Sequence, residues 1–259
     1  MRAELQSLHA SIPATRNARR QWHSRHAVRL YLSDGSGHIG IGEAAPLPGF
    51  SAETAADARE ALARFDWPDD PPTHAAQIAR IVARIDPAVP SARFAAETAL
   101  AALATSKLGV PLYMLWTDRV DEVPIATGLF GVDDRAIVEA AREAAAYGAH
   151  AVKLKIGRSA ALDGWLVETV RTLLPHAELR LDANGTLDPL SLGERLHALR
   201  AYSPAYVEEP CALADMLAAE APPVPFAIDE SLAGADGDEA LARALACDHI
   251  CAVVLKPTL

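Results

Sequence analysis

The sequence predicts an α/β protein in which a (β/α)-barrel of TIM type, with six of its eight βα units in evidence and the last two lacking, follows an N-terminal α+β domain. Three observations carry this prediction. After Pro124, six short β-rich runs alternate with helical stretches, the pattern of βα units laid into a parallel sheet. Before it, hairpin and helix signals mix without that alternation. Finally, polar residues end each of the six runs, as at the face of a barrel that carries active sites. The expected division is residues 1–120 for the α+β domain and 121–259 for the barrel.

The elements follow in order. Ala27 to Ser33 alternates in character and meets Asp34-Gly35, which reads as a strand entering a hairpin turn. Ala52 to Ala63 and Ser91 to Leu108 are alanine-rich with apolar residues at helical spacing. The six β-rich runs are Ile125 to Leu129, Ala151 to Ile156, Leu179 to Ala183, Ala205 to Glu208, Phe226 to Asp229, and Ala252 to Leu255. Helices are expected over Asp133 to Tyr147, with Gly148 as the capping glycine, over Asp188 to Ala201 and over Asp238 to Ala246.

Composition narrows the class of function. Of 259 residues, 51% are hydrophobic, 22% charged and 5% aromatic, which describes a globular chain and excludes disorder. The net charge of -10, with no basic run beyond Arg19-Arg20, excludes a nucleic-acid or anionic-membrane partner. A small anionic carboxylate would need a local cationic pocket or a metal. Three cysteines with no CxxC pair fit a reducing compartment, so the cytoplasm is expected. Met1 to Gln6 opens no apolar h-region and no apolar run reaches membrane length, so neither signal peptide nor membrane span is expected. The oligomeric state stays open.

The strand ends carry the chemistry: Lys153 and Lys155, Asp182 and Asn184, Glu208 and Glu209, Asp229 and Glu230, and Lys256, each set one βα unit beyond the last. Strand alternation puts Lys153 with Lys155 on one side, and Arg180, Asp182 and Asn184 likewise. Asp182, Glu208 and Asp229, from three neighbouring strands, form the all-oxygen donor set that Mg2+ prefers. Lys155 and Lys256 then flank that site on opposite walls. A base role requires Lys155 to shed its proton at neutral pH, which Lys153 as a like charge and the metal would both promote. The set suits removal of a proton α to a carboxylate, with the charge of the enediolate stabilised by the divalent ion. Alone, each motif reads as a turn, cap or strand end; the order of all five is what is specific.

This ordered set resembles the enolase superfamily, and within it the o-succinylbenzoate synthase family. The stretches that carry the resemblance run from Gly42 to Ser51 (GEAAPLPGFS), Leu179 to Asn184 (LRLDAN), Val207 to Cys211 (VEEPC), Asp229 to Leu232 (DESL) and Ala252 to Leu259 (AVVLKPTL). It implies an N-terminal capping domain beside the barrel. It also implies Mg2+, or Mn2+ in its place, as cofactor, and loss of water from 2-succinyl-6-hydroxy-2,4-cyclohexadiene-1-carboxylate to give o-succinylbenzoate, a step of menaquinone synthesis. Asp182, Glu208 and Asp229 would hold the metal, Lys155 would move the α-proton to the departing hydroxyl, and Lys256 would stabilise the ring intermediate. Lys153, Asn184 and Glu230 would support that set, Arg180 would steer a substrate carboxylate, and Arg16 to Arg25 with Pro46 to Ser51, Phe50 included, would be the loops that close over substrate. Racemisation of N-acylamino acids, dipeptide epimerisation and cycloisomerisation would use the same lysines. A chain with six strands could also be an inactive, truncated barrel.

Two features have plainer readings. Gly35 to Gly40 matches GxGxxG, but two prolines follow and no helix opens, so a hairpin turn is expected in place of a phosphate site. Arg16, Arg19 and Arg20 can equally be a solvated surface run, Phe50 can pack on a rim, and Cys211 beside Pro210 is expected to be packed behind a strand end.

Overall fold

A computed structural model of the protein describes residues 1–16, 21–119, 125–130, 133–233 and 236–256. They fall into two compact units, Met1–Asp121 with Lys256–Leu259, and Glu122–Leu255. The boundary expected at 120/121 lies outside the described residues, as do Arg19 and Arg20.

In the first unit, β1 (Arg2–Arg16), β2 (Gln21–Ser33) and β3 (Ile39–Ala44) form an antiparallel sheet in that order. The hairpin expected after Ser33 is present. The Asp34 carboxylate accepts the backbone N–H of Ser36 at 2.9 Å and of His38 at 3.3 Å, and Gly35 and Gly37 take positive φ. The Ser36 hydroxyl, which donates to the same carboxylate at 2.7 Å, and then these backbone bonds hold the Asp34 carboxyl well below the usual carboxylate range. The GxGxxG stretch is therefore a hairpin loop running into β3, as its context predicts.

Helices α1 (Ala55–Arg64), α2 (Ala75–Val82) and α3 (Pro90–Leu108) cover one face of the sheet. Val28, Leu30 and Leu32 point inward from β2 onto Ala95, Ala96, Ala99, Leu100 and Leu103 of α3. Close approach is possible because β3 presents glycines there. A Cβ on Gly40 would lie 1.9 Å from the Ala99 carbonyl oxygen, and one on Gly42 1.9 Å from that of Ala95. α1 starts two or three residues after its expected position because Thr54 and Asp57 form a reciprocal capping box. β1 and α2 were not expected: β1 lacks clean alternation and is ordered by pairing with β2 along its length, while α2 is short and preceded by Pro71 and Pro72.

In the second unit, β4 (Ala126–Leu129), β5 (Ala151–Lys155), β6 (Glu178–Asp182), β7 (Tyr206–Glu208), β8 (Phe226–Ile228) and β9 (Ile250–Val253) form one parallel sheet whose order is the chain order. Between them run α4 (Asp134–Ala146), α5 (Ala160–Leu173), α6 (Leu192–Arg200), α7 (Leu213–Ala218) and α8 (Gly237–Leu245). The core joins Leu154, Leu179, Leu181, Val207, Phe226 and Ile228 to Leu166, Val170, Leu196 and Leu199. Burial of each such side chain is worth about 1.5–3 kcal/mol, so the apolar strand positions dominate the local energetics and leave the polar strand ends to function.

Two boundaries differ from expectation. The Asp188–Ala201 helix is a 3-10 turn over Pro189–Ser191 followed by α6, because the Asp188 carboxylate caps Leu190 and Pro189 has no N–H to donate. β9 occupies Ile250–Val253, two residues earlier than Ala252–Leu255, since its pairing with β8 starts at Phe226↔Ile250 and carries an irregularity after it. Gly148 ends α4 with φ 73, as expected. No helix among the described residues is long and apolar enough to cross a membrane.

Candidate active site

Parallel register aligns the predicted residues. Lys155 on β5 lies opposite Asp182 on β6, which lies opposite Glu208 on β7, so the three form one row across adjacent strand ends. Lys153, Arg180 and Tyr206 form the row two residues lower. Asp229 is not in a strand: β8 ends at Ile228, and Asp229 opens a 3-10 turn over Glu230–Leu232.

Asp182, Glu208 and Asp229 are all buried. The Lys153 ammonium bonds Asp182 Oδ2 at 3.0 Å and Glu208 Oε1 at 2.6 Å. Burial alone would lower the pKa of Lys153, but the Asp182 charge and the Glu208 hydrogen bond outweigh it and the net shift is upward. Lys153 is thus a fixed cation. Glu208 is pushed up to about 7, by burial first, with the Asp182 charge and the contact with Asp229 adding to it against the pull of Lys153. At Glu208, burial and like charge thus outweigh the pull of Lys153.

Whether the donors fit a divalent cation follows from that imbalance. An all-oxygen, charge-crowded set suits a hard cation such as Mg2+, although among the described residues no three donors stand already arranged around a metal position. Lys153 occupies the space between Asp182 and Glu208. Chemically the set fits; a bound ion would share these carboxylates with the ammonium.

The remaining predicted residues are placed as follows. The Asn184 amide Nδ2 donates to Glu230 Oε1 at 2.9 Å, with Asn184 held at φ 45 and its backbone N–H on Asp182 Oδ1 at 3.1 Å. Arg180 bonds Glu178 at 2.6 Å and lies over the Tyr206 ring at 5.8 Å, in the row below the carboxylates. In the first unit, the Lys256 ammonium sits 5.2 Å from the centroid of the Phe50 ring. Cys211 is buried, and burial pushes its thiol up to about 11, so it is no nucleophile.

Glu209, named at a strand end but given no role, and Asp163, not singled out in the sequence, both take part. Glu209, buried and at φ 40, accepts the Asp229 N–H at 2.8 Å and the Ser231 hydroxyl. Its signal was the Glu-Glu pair itself, one carboxylate at the end of β7 and the next just beyond it. Asp163, buried in α5, pairs with Arg195 at 2.5 Å and accepts the Gly157 N–H at 2.9 Å, which anchors the loop that leaves Lys155. Nothing local in the sequence marks it.

Comparison with known proteins decides the family. The Enolase C-terminal domain-like family matches residues 136–256. An o-succinylbenzoate synthase from Salmonella arizonae is 32% identical over 250 residues, covering 93% of this chain and 68% of that protein. The chain belongs to the o-succinylbenzoate synthase family of the enolase superfamily. It is an enzyme of that superfamily, and it spans about two thirds of the length of the curated synthases it matches. The crystal structure of the o-succinylbenzoate synthase from Thermosynechococcus elongatus, described with Mg in its active site, superposes with a TM-score of 0.75 at 26% identity, over 100% of this chain and 77% of that one. A dipeptide epimerase from Enterococcus faecalis, complexed with Mg and L-Leu-L-Tyr, gives 0.83 at 21% identity, over 99% and 74%, and shares the fold. The (β/α)-barrel architecture with a separate α+β unit is that of this superfamily.

Proposed function

We propose that the chain catalyses Mg2+-dependent dehydration of 2-succinyl-6-hydroxy-2,4-cyclohexadiene-1-carboxylate to o-succinylbenzoate. The observation that carries the reading is the row Lys155, Asp182 and Glu208, followed by Asp229 at the end of the next strand: a lysine on the strand beside three buried carboxylic residues. The 32% identity with the Salmonella synthase supports the substrate. Asp182, Glu208 and Asp229 would hold Mg2+, which when bound supplies positive charge against the charge that develops on the substrate carboxylate. Lys155 removes the ring proton α to that carboxylate and delivers it to the hydroxyl, so that the C–H and C–O bonds break, the ring becomes aromatic and water departs. Lys153, fixed by its two ion pairs, keeps Asp182 and Glu208 in place, and the Lys256 ammonium stabilises the electron-rich ring. Arg180, tied to Glu178, shapes the floor below.

Turnover of the cyclohexadiene carboxylate, followed by its ultraviolet change, tests this reading. Activity that needs Mg2+ and falls at least 10³-fold in Lys155→Ala, within the range a general base contributes, is expected. A folded chain that turns over this substrate no faster than buffer would sink it. Epimerisation of a dipeptide would use the same carboxylates with two lysines, and deuterium exchange at an α-carbon without loss of water identifies that reaction instead.

A further inference from the structure

We propose that Glu209 is a positioning residue that sets Asp229 and Glu230 at the end of β8, and thereby the affinity of the carboxylate cluster for a divalent cation. The inference rests on the reading of Asp229 as a metal ligand and deepens it. Glu209 follows Glu208 just past the end of β7, and the partners of the two side chains are different. Glu208 faces Lys153, Asp182 and Asp229. Glu209 is only 4% exposed, yet it meets no lysine or arginine in any recorded ion pair of the described residues. Its carboxylate takes the Asp229 N–H at 2.8 Å and the Ser231 hydroxyl instead. Its backbone completes the tie: the N–H donates to Ala227 O at 2.8 Å, and the carbonyl accepts from Gly185 at 2.6 Å. One residue therefore joins the ends of β6, β7 and β8.

Backbone conformation argues that the side chain is the reason. At φ 40 Glu209 lies in the left-handed region that favours glycine. A glycine would satisfy the two backbone bonds with less strain but would release Asp229 and Ser231. The clamp also orients the next residue, since Glu230 Oε1 receives the Asn184 amide from the loop after β6. Partners that hold a ligand's backbone or side chain typically change metal affinity by about 10–100-fold when removed.

The test uses the full chain, freed of metal and titrated calorimetrically with Mg2+, beside amide hydrogen exchange at Asp229 and thermal unfolding. Glu209→Gln keeps the shape but offers a donor where Asp229 or Ser231 needs an acceptor. About 10–100-fold weaker Mg2+ binding, with faster Asp229 exchange in a folded chain, is expected. Ser231→Ala, a milder change, should weaken binding in the same direction by less, and it decides the matter if Glu209→Gln does not fold. Wild-type Mg2+ affinity in a variant that merely melts lower overturns the positioning role and leaves the metal site standing. No Mg2+ binding by the wild type, or binding that Asp182→Asn leaves unchanged, overturns the metal reading and this one with it.

Discussion

Glu208 shows how a single residue reports on its surroundings. Its pKa of about 7, against an ordinary value of 4.5, means that the fold binds this proton more tightly than the unfolded chain does. Stability from this group is therefore fully present at low pH and is lost as pH rises from about 4.5 to 7. A cation that takes the ionised carboxylate reverses the trend. We expect Mg2+ to raise the melting temperature more at pH 8 than at pH 5.5; an equal gain at both would show that Mg2+ does not engage Glu208. The identity of this residue, with Asp182, Asp229, Lys155 and Lys153, was legible because each sits where a β-rich run ends. What Lys153 does was less legible. Alternation gave its side of the sheet, but its bonds to Asp182 and Glu208 depend on the reach of a long side chain across two strands. The same limit hid Asp163, whose partner Arg195 is one βα unit away.

Among elements, the contact of β3 with α3 is the least tolerant of change. Gly42 faces the Ala95 carbonyl so closely that an added methyl must displace backbone on one side or the other. Gly42→Ala should destabilise the first unit by roughly 1–3 kcal/mol or more, as overpacking does, read as a lower denaturant midpoint in circular dichroism. A change below about 0.5 kcal/mol would show that helix and sheet can separate there freely. In the sequence Gly42 stood out as part of a motif, while its steric reason needed α3 in place. Strand existence was easier to read than strand limits. Buried Leu179, Leu181, Val207 and Phe226 announce their strands, but β9 slid by two residues because the irregularity in its pairing with β8 leaves no trace in hydrophobic pattern. β1 was invisible for the opposite reason: its order comes from β2, not from its own alternation.

On the scale of the molecule, the parallel sheet has two outer strands. Among the described residues β4 pairs only with β5, and β9 only with β8. Large apolar side chains stand exposed beside both, Ile125 at 83% and Phe130 at 73% by β4, and Leu255 at 71% after β9.

The sequential order of β4 to β9 has a kinetic consequence. Each strand docks beside the one made just before it, so every addition closes a loop of only one βα unit and never a long one. Each step still spans a whole βα crossover, so such a parallel sheet assembles more slowly than a hairpin, although no step needs more than one crossover. It can also grow in the direction of synthesis, with β5 seated on β4 before β9 has left the ribosome.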